Sequence, residues 1–479
     1  MHLESQSNRF RATFVCRHWR RTFLQHPALW SQLYLRKGEV YMKAILERAK
    51  GSALDIVAFF STHVNIMTLL LPHTKQIRSL DFSHNYWGDL RRFSELDSEP
   101  LPLLRTLKID DIKELSPDAI IPPSLLFGNA MNLQEFRLET TWPPPLNRFI
   151  FPNLTSFELS VEKVEGFRAL QLLNFLEASP MLQTVQVKII ADILFNDVPR
   201  ERAIVLPDVK SLSLVVSDGG PGYDLVTRIS CPSVKKTTLT HEKDVEDVTL
   251  YNIFPAPALW DAIVRQYTRS PVEKITLEVE VGEDDSILKY SLTFEPLDAT
   301  VFRLYFKVTT KDWSKDEADF ETSLDEIYCG AFSEACRIIR DLPLLANVKR
   351  LYIYHTTLVS EYTRVTSIAN EVGRLFKSLG PLEELTLRRC DMRPYFTPSV
   401  VFPPIKKFTI LHPMGPPHGG FEAAIVGLAE SQHALGVPFK KVIVRMEELF
   451  EDEDEEEMEE RLRPWVSSGN CAWEKYRGD

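Results

Sequence analysis

The residues that most often perform chemistry are scattered in this sequence without catalytic spacing. The eleven histidines are dispersed, and His241 with Glu242 has no second histidine at the helical spacing of a zinc-protease motif. His412 and His418 flank a loop rich in proline and glycine, where the cysteine and carboxylate partners of a metal site are missing. Phosphate-binding glycine loops and nucleophile-elbow motifs are not found either. We therefore predict a protein that is not an enzyme and that uses no cofactor and no metal.

The composition of the chain argues against several further classes of partner and environment. The chain has 479 residues and a formal net charge of -11, which disfavours a nucleic-acid partner because such a surface repels phosphate backbones. The six cysteines include no C-x-x-C pair and do not suggest a disulfide framework, so we expect reduced thiols in the cytoplasm or the nucleus. Cys329 and Cys336 have the spacing of one helical face, where core packing is the simplest interpretation. Neither a signal peptide nor a long apolar run is recognisable, so we expect no membrane partner.

One short phrase recurs along most of the chain and predicts its architecture. A proline or a loop is followed by an apolar residue, two polar residues and then an apolar-x-apolar pair. This alternation is typical of a β-strand with one buried face, and strands so short are stable only when they stack side by side. The clearest copies have their leading apolar residue at Leu104, Leu133, Leu154, Leu182, Val209, Val272, Val348, Leu382 and Ile405.

Stretches with apolar residues at helical spacing lie between the strand phrases. Strand-then-helix alternation predicts an α/β fold, a leucine-rich-repeat-like solenoid (horseshoe) of short parallel strands with helical or irregular returns. The repeat length is irregular, and a β alternation at 279–311 with two acidic breaks indicates a hairpin excursion. The helical stretches are 166–179, 257–270, 319–340, 359–379 and 421–435.

The sharpest change in composition is an acidic run at 447–460. It is typical of a solvated loop inserted into the last repeat, and the alternative is a segment that attracts a basic partner. With this insertion, we divide the chain into an N-terminal helical segment at 1–36 and an irregular solenoid at 37–479.

Aromatic residues beside proline and glycine mark several loops that follow strands. Aromatic anchors at loop tips suit protein recognition, and the alternative is that they pack onto the rim of the solenoid. The candidates for binding a protein target are Tyr86, Trp87, Trp142 and Tyr395.

The N-terminal segment differs from the repeats. The range 11–23 is predicted to be a helix, and a turn ending at Pro27 leads to a short strand at 33–35. Basic residues surround Trp19, which would also fit an RNA-binding patch, although the acidic chain favours another explanation.

The explanation that we favour for this segment is its resemblance to part of a known protein family. The segment from Phe14 to Leu35 resembles the second half of an F-box, and a divergent leucine-rich-repeat-like body commonly follows it in the large fungal F-box families. Nothing before Phe10 matches the opening Leu-Pro-x-Glu helix of that family, which indicates either a truncated start or a degenerate box. The matching positions are Val15, Cys16, Arg17, Trp19, Arg20, Pro27, Leu29, Trp30 and Leu33.

The resemblance implies a function. F-box proteins of this kind are substrate-recognition subunits of SCF-type ubiquitin ligases, which bind a Skp-type adaptor and a protein target. The alternative is a non-catalytic interaction scaffold in which the N-terminal segment only caps the first repeat. In both cases we expect a monomer outside the complex. The adaptor-binding positions implied are Val15, Cys16, Trp19, Pro27, Leu29 and Trp30.

Overall fold

A computed structural model shows a mixed α/β chain that is organised as two compact units. The first unit comprises Met1–Lys210 with Arg228–Pro232, and the second comprises Ser211–Thr227 with Ser233–Asp479. The residues that the structure describes are 16–35, 39–59, 69–84, 101–112, 130–141, 146–162, 167–190, 193–194, 198–199, 202–216, 224–244, 274–281, 287–294, 301–308, 330, 332–333, 336–337, 339–340, 348–355, 362–388, 392, 394–397, 400–411, 420–446, 460–466 and 471–475.

A sheet of parallel strands forms the centre of the first unit. Each strand of this sheet pairs with the strand of the same sheet that follows it in sequence. All of these pairings are parallel, and the last one joins β6 to β8. The strands are β1 (Gln32–Tyr34), β2 (Leu54–Phe59), β3 (Ile77–His84), β4 (Thr106–Ile112), β5 (Glu135–Thr140), β6 (Ser156–Glu162) and β8 (Thr184–Ile190).

Helices and short ribbons connect these strands. Two parallel ribbons form within the connections, where β7 (Phe167–Arg168) pairs with β9 (Ile193–Leu194) and β10 (Ile204–Val205) pairs with β12 (Ile229–Ser230). The helix predicted at 166–179 is confirmed as a shorter one. The helical elements are α1 (Arg17–Gln25), α2 (Glu39–Ala49) and α3 (Ala169–Glu177), with 3-10 turns at Pro27–Trp30, Leu71–Gln76 and Leu146–Arg148.

The turns before β4, β5, β6 and β8 repeat one hydrogen-bond pattern. The leading apolar residue donates its N–H to the carbonyl three residues earlier, as Leu104 does to Leu101 at 3.1 Å. The residue after it donates to the preceding repeat, so that consecutive repeats are joined at the same position. These donor-to-acceptor pairs are Arg105 to Arg78, Gln134 to Arg105, Thr155 to Gln134, Gln183 to Thr155 and Lys210 to Gln183, each at 2.8 Å.

The core of the first unit lies under one face of the sheet. The predicted leading residues and apolar-x-apolar pairs of this unit are buried, which confirms the phrase as a strand signal. The sequence analysis missed a second buried position, three residues before the leading residue, occupied by Leu101, Phe151 and Leu206 among others. Aromatic rings fill much of this core; Phe157 and Phe175, for example, have centroids 4.5 Å apart.

The second unit contains a sheet in which one strand runs against the others. Strand β15 pairs antiparallel with both β13 and β14, whereas the remaining pairings are parallel. The hairpin predicted at 279–311 is therefore present as β14 and β15. In spatial order the strands are β11 (Ser211–Val216), β13 (Lys236–Asp244), β15 (Ile287–Phe294), β14 (Lys274–Val281), β16 (Val301–Val308), β17 (Arg350–His355), β18 (Leu382–Arg388), β19 (Ile405–Leu411), β20 (Lys441–Met446) and β21 (Cys471–Lys475).

Two long helices of this unit agree with the sequence. Helix α4 (Tyr362–Ser378) corresponds to the prediction at 359–379, and α5 (Gly420–Ala434) to that at 421–435. Gly436 follows α5 with a φ of 75°, a left-handed conformation that favours glycine at a helix end. The helix predicted at 319–340 is helical at its described positions from 330 onward, whereas the one at 257–270 lies outside the described residues.

One threonine occupies a core position in β13. Thr237 is 1% exposed, and its hydroxyl oxygen is buried with no hydrogen-bond partner in the part of the chain that the structure describes. Thr237→Val keeps the shape and removes the unpaired hydroxyl, so we expect it to raise the free energy of unfolding by about 1 kcal/mol. Urea unfolding of the full chain would measure this change. The control is Thr240→Val at a half-buried position of the same strand, and a lower urea midpoint for Thr237→Val would contradict the expectation.

Candidate protein-interaction surfaces

Helix α1 is capped at both ends, and none of its side chains is fully buried, although Thr22, Phe23 and Leu24 are half-buried. Cys16 caps its start in an extended conformation, and the Trp19 N–H donates to the Cys16 Sγ at 3.4 Å. Trp19 stacks on Phe23 with ring centroids 5.9 Å apart, yet it remains 50% exposed. Trp19 is therefore a large apolar ring that is half exposed, on a helix without a fully buried side chain.

Trp30 has the opposite environment. It is 1% exposed, and its indole Nε1 donates to the carbonyl oxygen of Phe23 at 2.8 Å. The guanidinium of Arg48, in α2, lies 4.7 Å from the Trp30 ring centroid. The Trp30 side chain therefore joins the end of α1 to α2, which corrects its assignment as an adaptor contact, because the indole is already enclosed within the chain.

The remaining adaptor-binding candidates differ in exposure. Cys16 is exposed, Pro27 is half-buried, and Leu29 in the turn after α1 is 36% exposed. Val15 lies outside the described residues. The structure thus presents Cys16, Trp19 and Leu29 to solvent on one helix and the turn that follows it.

Of the four aromatic candidates for target binding, the structure describes one. Tyr86, Trp87 and Trp142 lie outside the described residues. Tyr395 is described, and it is 0% exposed, which corrects its prediction as an anchor at a loop tip. The physical reason is that the segment between β18 and β19 packs inward: Phe402, in the same segment, has its ring centroid 5.0 Å from that of Phe376 in α4.

The open face of the first sheet carries a charged cluster. Side chains alternate along each strand, so the polar residue between two core residues points away from the core. Arg137 of β5 faces three carboxylates, with nitrogen-to-oxygen distances of 2.9 Å to Asp110, 3.5 Å to Glu158 and 3.8 Å to Glu139. This cluster joins neighbouring repeats, and it could not be predicted from the sequence because its members are far apart along the chain.

A second polar network crosses the open face of the second sheet. The Tyr352 hydroxyl donates to Glu384 Oε2 at 2.9 Å, and Lys407 Nζ lies 2.5 Å from Glu384 Oε1. These residues belong to β17, β18 and β19. Like the cluster around Arg137, this network joins neighbouring strands of its sheet.

Two cysteines that could be nucleophiles are poorly suited to that role. The thiolate is the reactive form of cysteine, and burial disfavours it. Burial raises the pKa of Cys231 to about 12, and it also raises the pKa of Cys336 well above its ordinary value. The buried thiols of Cys231 and Cys336 are therefore protonated at neutral pH. Cys329 and the histidine pair His412 and His418 lie outside the described residues.

The described residues include neither a metal-binding cluster nor a membrane-spanning helix. It contains no group of three or more His, Cys, Asp or Glu residues arranged to hold a metal ion. Within the same residues, no helix is both long enough and apolar enough to cross a bilayer.

No protein-family model matches the sequence, and a search of curated proteins also finds no match. The resemblance to F-box proteins therefore depends on the residues of the segment from Phe14 to Leu35 and on the repeat phrase that follows them.

Proposed function

We propose that this protein is a non-catalytic receptor, the substrate-recognition subunit of an SCF-type ubiquitin ligase with a leucine-rich-repeat-like solenoid as its body. Support for the solenoid comes from the order of pairing, because in the first unit strands β1 to β6 pair in chain order. Further support comes from the repeated turn, in which each repeat hydrogen-bonds to the one before it. Such stacking is how repeat proteins bury a continuous core.

The observation that carries the proposal is the exposure of α1. A helix of nine residues with no fully buried side chain is marginal on its own, since short helices depend on tertiary packing. Its exposed Trp19, together with Leu29 in the following turn, matches positions that the F-box resemblance assigns to the Skp-type adaptor. Adaptor binding would cover this surface and stabilise the helix.

The proposed mechanism is proximity. The N-terminal segment docks on the adaptor, while the strand face or the loops of the solenoid hold a protein target. Lysines of the target then lie near the ubiquitin-loaded partner enzyme, so an encounter between two molecules becomes effectively intramolecular. Such a role requires no nucleophile, metal or cofactor in this chain, and the raised pKa values of Cys231 and Cys336 are consistent with that.

A pull-down with purified Skp-type adaptor tests the proposal. We expect the full chain to retain adaptor, and the Trp19→Ala/Leu29→Ala variant to lose at least about tenfold in affinity, because central aromatic anchors dominate such interfaces. Stability should change by less than about 0.5 kcal/mol, since both side chains are exposed. Loss of binding with retained stability would support a direct contact.

The matched control is Met131→Ala, which removes an exposed apolar side chain from a turn of the first sheet. A second version of the chain, carrying an F-box opening helix before Met1, is tested in parallel. If neither version retains adaptor, the ligase proposal fails. Equal loss of binding in the Met131→Ala variant would also contradict a specific contact through α1.

The second candidate function is an interaction scaffold without a ligase. Trp30 favours it, because its buried indole joins α1 to α2 and so makes the N-terminal segment a cap of the first unit. Strand β1 also extends the sheet by pairing with β2. Failure of adaptor binding in the pull-down would leave this scaffold function as the better proposal.

A further inference from the structure

Positively charged side chains meet where strands β17 to β20 begin. The strand register sets Arg350, Glu384, Lys407 and Lys441 side by side. The residues just before them in sequence are Lys349, Glu383, Lys406 and Lys440. These eight residues are termed the basic edge. They include six cations and two carboxylates, although the whole chain has a net charge of -11.

The charges of the basic edge are only partly neutralised. Lys407 Nζ lies 2.5 Å from Glu384, and Lys349 Nζ lies 3.9 Å from Glu383. Within the part of the chain that the structure describes, Arg350, Lys406 and Lys441 have no ion-pair partner. Adjacent like charges repel one another, so an anionic ligand at this edge would relieve an unfavourable interaction.

The first unit shows that the fold does not require these cations. The same two positions at the starts of β4, β5, β6 and β8 are mostly uncharged, with one cation and one carboxylate among them. The first residue of each pair nevertheless donates its backbone N–H to the preceding repeat, as Glu383 and Lys440 do in the second unit. The residues concerned are Arg105, Thr106, Gln134, Glu135, Thr155, Ser156, Gln183 and Thr184.

A second observation on the same sheet face also indicates a ligand. Thr386 and Thr409 are register partners, and each lies two residues beyond a member of the basic edge, on the same face. They are 5% and 6% exposed, and their hydroxyl oxygens are buried without a hydrogen-bond partner among the described residues. A χ1 rotation of about 120° would turn either hydroxyl toward the open face.

We propose that the basic edge, with Thr386 and Thr409, binds an acidic, extended segment of a partner protein. Arg350, Lys406 and Lys441 pair with carboxylates of that segment, and the hydroxyls hydrogen-bond to its backbone. A nucleic acid fits this edge less well, because Glu383 and Glu384 interrupt it and repel a continuous phosphate backbone. The inference rests on the proposed function only in taking the acidic segment to belong to the target.

Fluorescence anisotropy with a labelled peptide of alternating Asp and Glu residues tests the proposal on the full chain. We expect binding that weakens as salt is raised, and a loss of at least about tenfold in affinity for the Lys406→Glu/Lys441→Glu variant. The matched control is Arg105→Glu, which reverses a charge at the same repeat position in the first unit. It should bind the peptide within about twofold of the unchanged chain.

Three results would overturn the proposal: no binding of the acidic peptide, an equal loss of affinity in the Arg105→Glu control, or tighter binding of single-stranded DNA of the same length. The Thr386→Val/Thr409→Val variant keeps the shape of the face, and we expect it to weaken peptide binding about threefold. Unchanged binding by that variant would exclude the hydroxyls from the site. No adaptor is present in this assay, so its failure is distinguishable from failure of the adaptor pull-down.

Discussion

Trp30→Ala is expected to lower the free energy of unfolding of the first unit by about 3–5 kcal/mol, the usual cost of removing a buried aromatic side chain. Trp30 is 1% exposed, so the substitution leaves a cavity between α1 and α2. It also removes the indole N–H that Phe23 accepts at its carbonyl oxygen. Thermal unfolding of the full chain, followed by circular dichroism, would show a lower first transition.

Trp19→Ala is the matched control for this experiment, because it removes the same side chain from an exposed position eleven residues earlier in the sequence. Its effect on stability should be below about 0.5 kcal/mol, as for most surface substitutions. Equal destabilisation by the two variants would show that Trp30 does not join the N-terminal segment to the first unit. The two variants also distinguish an effect on stability from an effect on adaptor binding, because adaptor binding is proposed to depend on Trp19.

Gln432→Leu is expected to destabilise the second unit by about 2–4 kcal/mol, because it leaves two backbone groups without partners. Gln432 is buried in α5, where its Oε1 accepts from the Ile405 N–H at 3.0 Å. Its Nε2 donates to the Pro403 carbonyl oxygen at 3.1 Å. One side chain thus connects the helix to the start of β19, and urea unfolding of the full chain would measure the loss.

The control for Gln432→Leu is Glu430→Leu, at an exposed position of the same helix. This substitution also introduces a leucine but removes no buried hydrogen bond. It should therefore change the free energy of unfolding by less than about 0.5 kcal/mol. If both variants unfold at the same urea concentration, the two hydrogen bonds of Gln432 contribute little to stability.

The strands were the most predictable part of the fold. An apolar-x-apolar pair has a period of two, which only an extended chain with one buried face satisfies. Leu107 and Ile109 in β4 illustrate this, since both are buried and the lysine between them is not. The leading residue, such as Leu104, was predictable for the same reason, because an apolar side chain at a fixed distance before each strand has to pack beneath it.

The direction of aromatic side chains outside the strands was not predictable. Trp19 and Trp30 lie in one short segment, but one is half exposed and the other is enclosed. The difference arises because Arg48 of α2 lies against the Trp30 ring. The local sequence pattern does not specify the turn that brings α2 to this position. Tyr395 is a similar case, because the flanking Pro394 and Pro398 indicate a turn but not the face on which the ring packs.

The charged surfaces were hidden from sequence reasoning for another reason. Lys407 and Lys441 are neighbours only because a helix of the right length returns the chain to the same register. A shift of one residue would turn each side chain to the opposite face of the sheet. Register depends on packing of the whole repeat, so the basic edge could be recognised only after the strands were aligned.

Strand β15 makes the second unit tolerant of a change in strand number. Because β15 is antiparallel to both of its neighbours, β13 and β14 share one polarity, as they would if they were adjacent. The extra strand therefore widens the sheet by about 5 Å without reversing any later strand. An ancestral chain could have acquired this strand, and a descendant could lose it, while β16 to β21 kept their direction and their order.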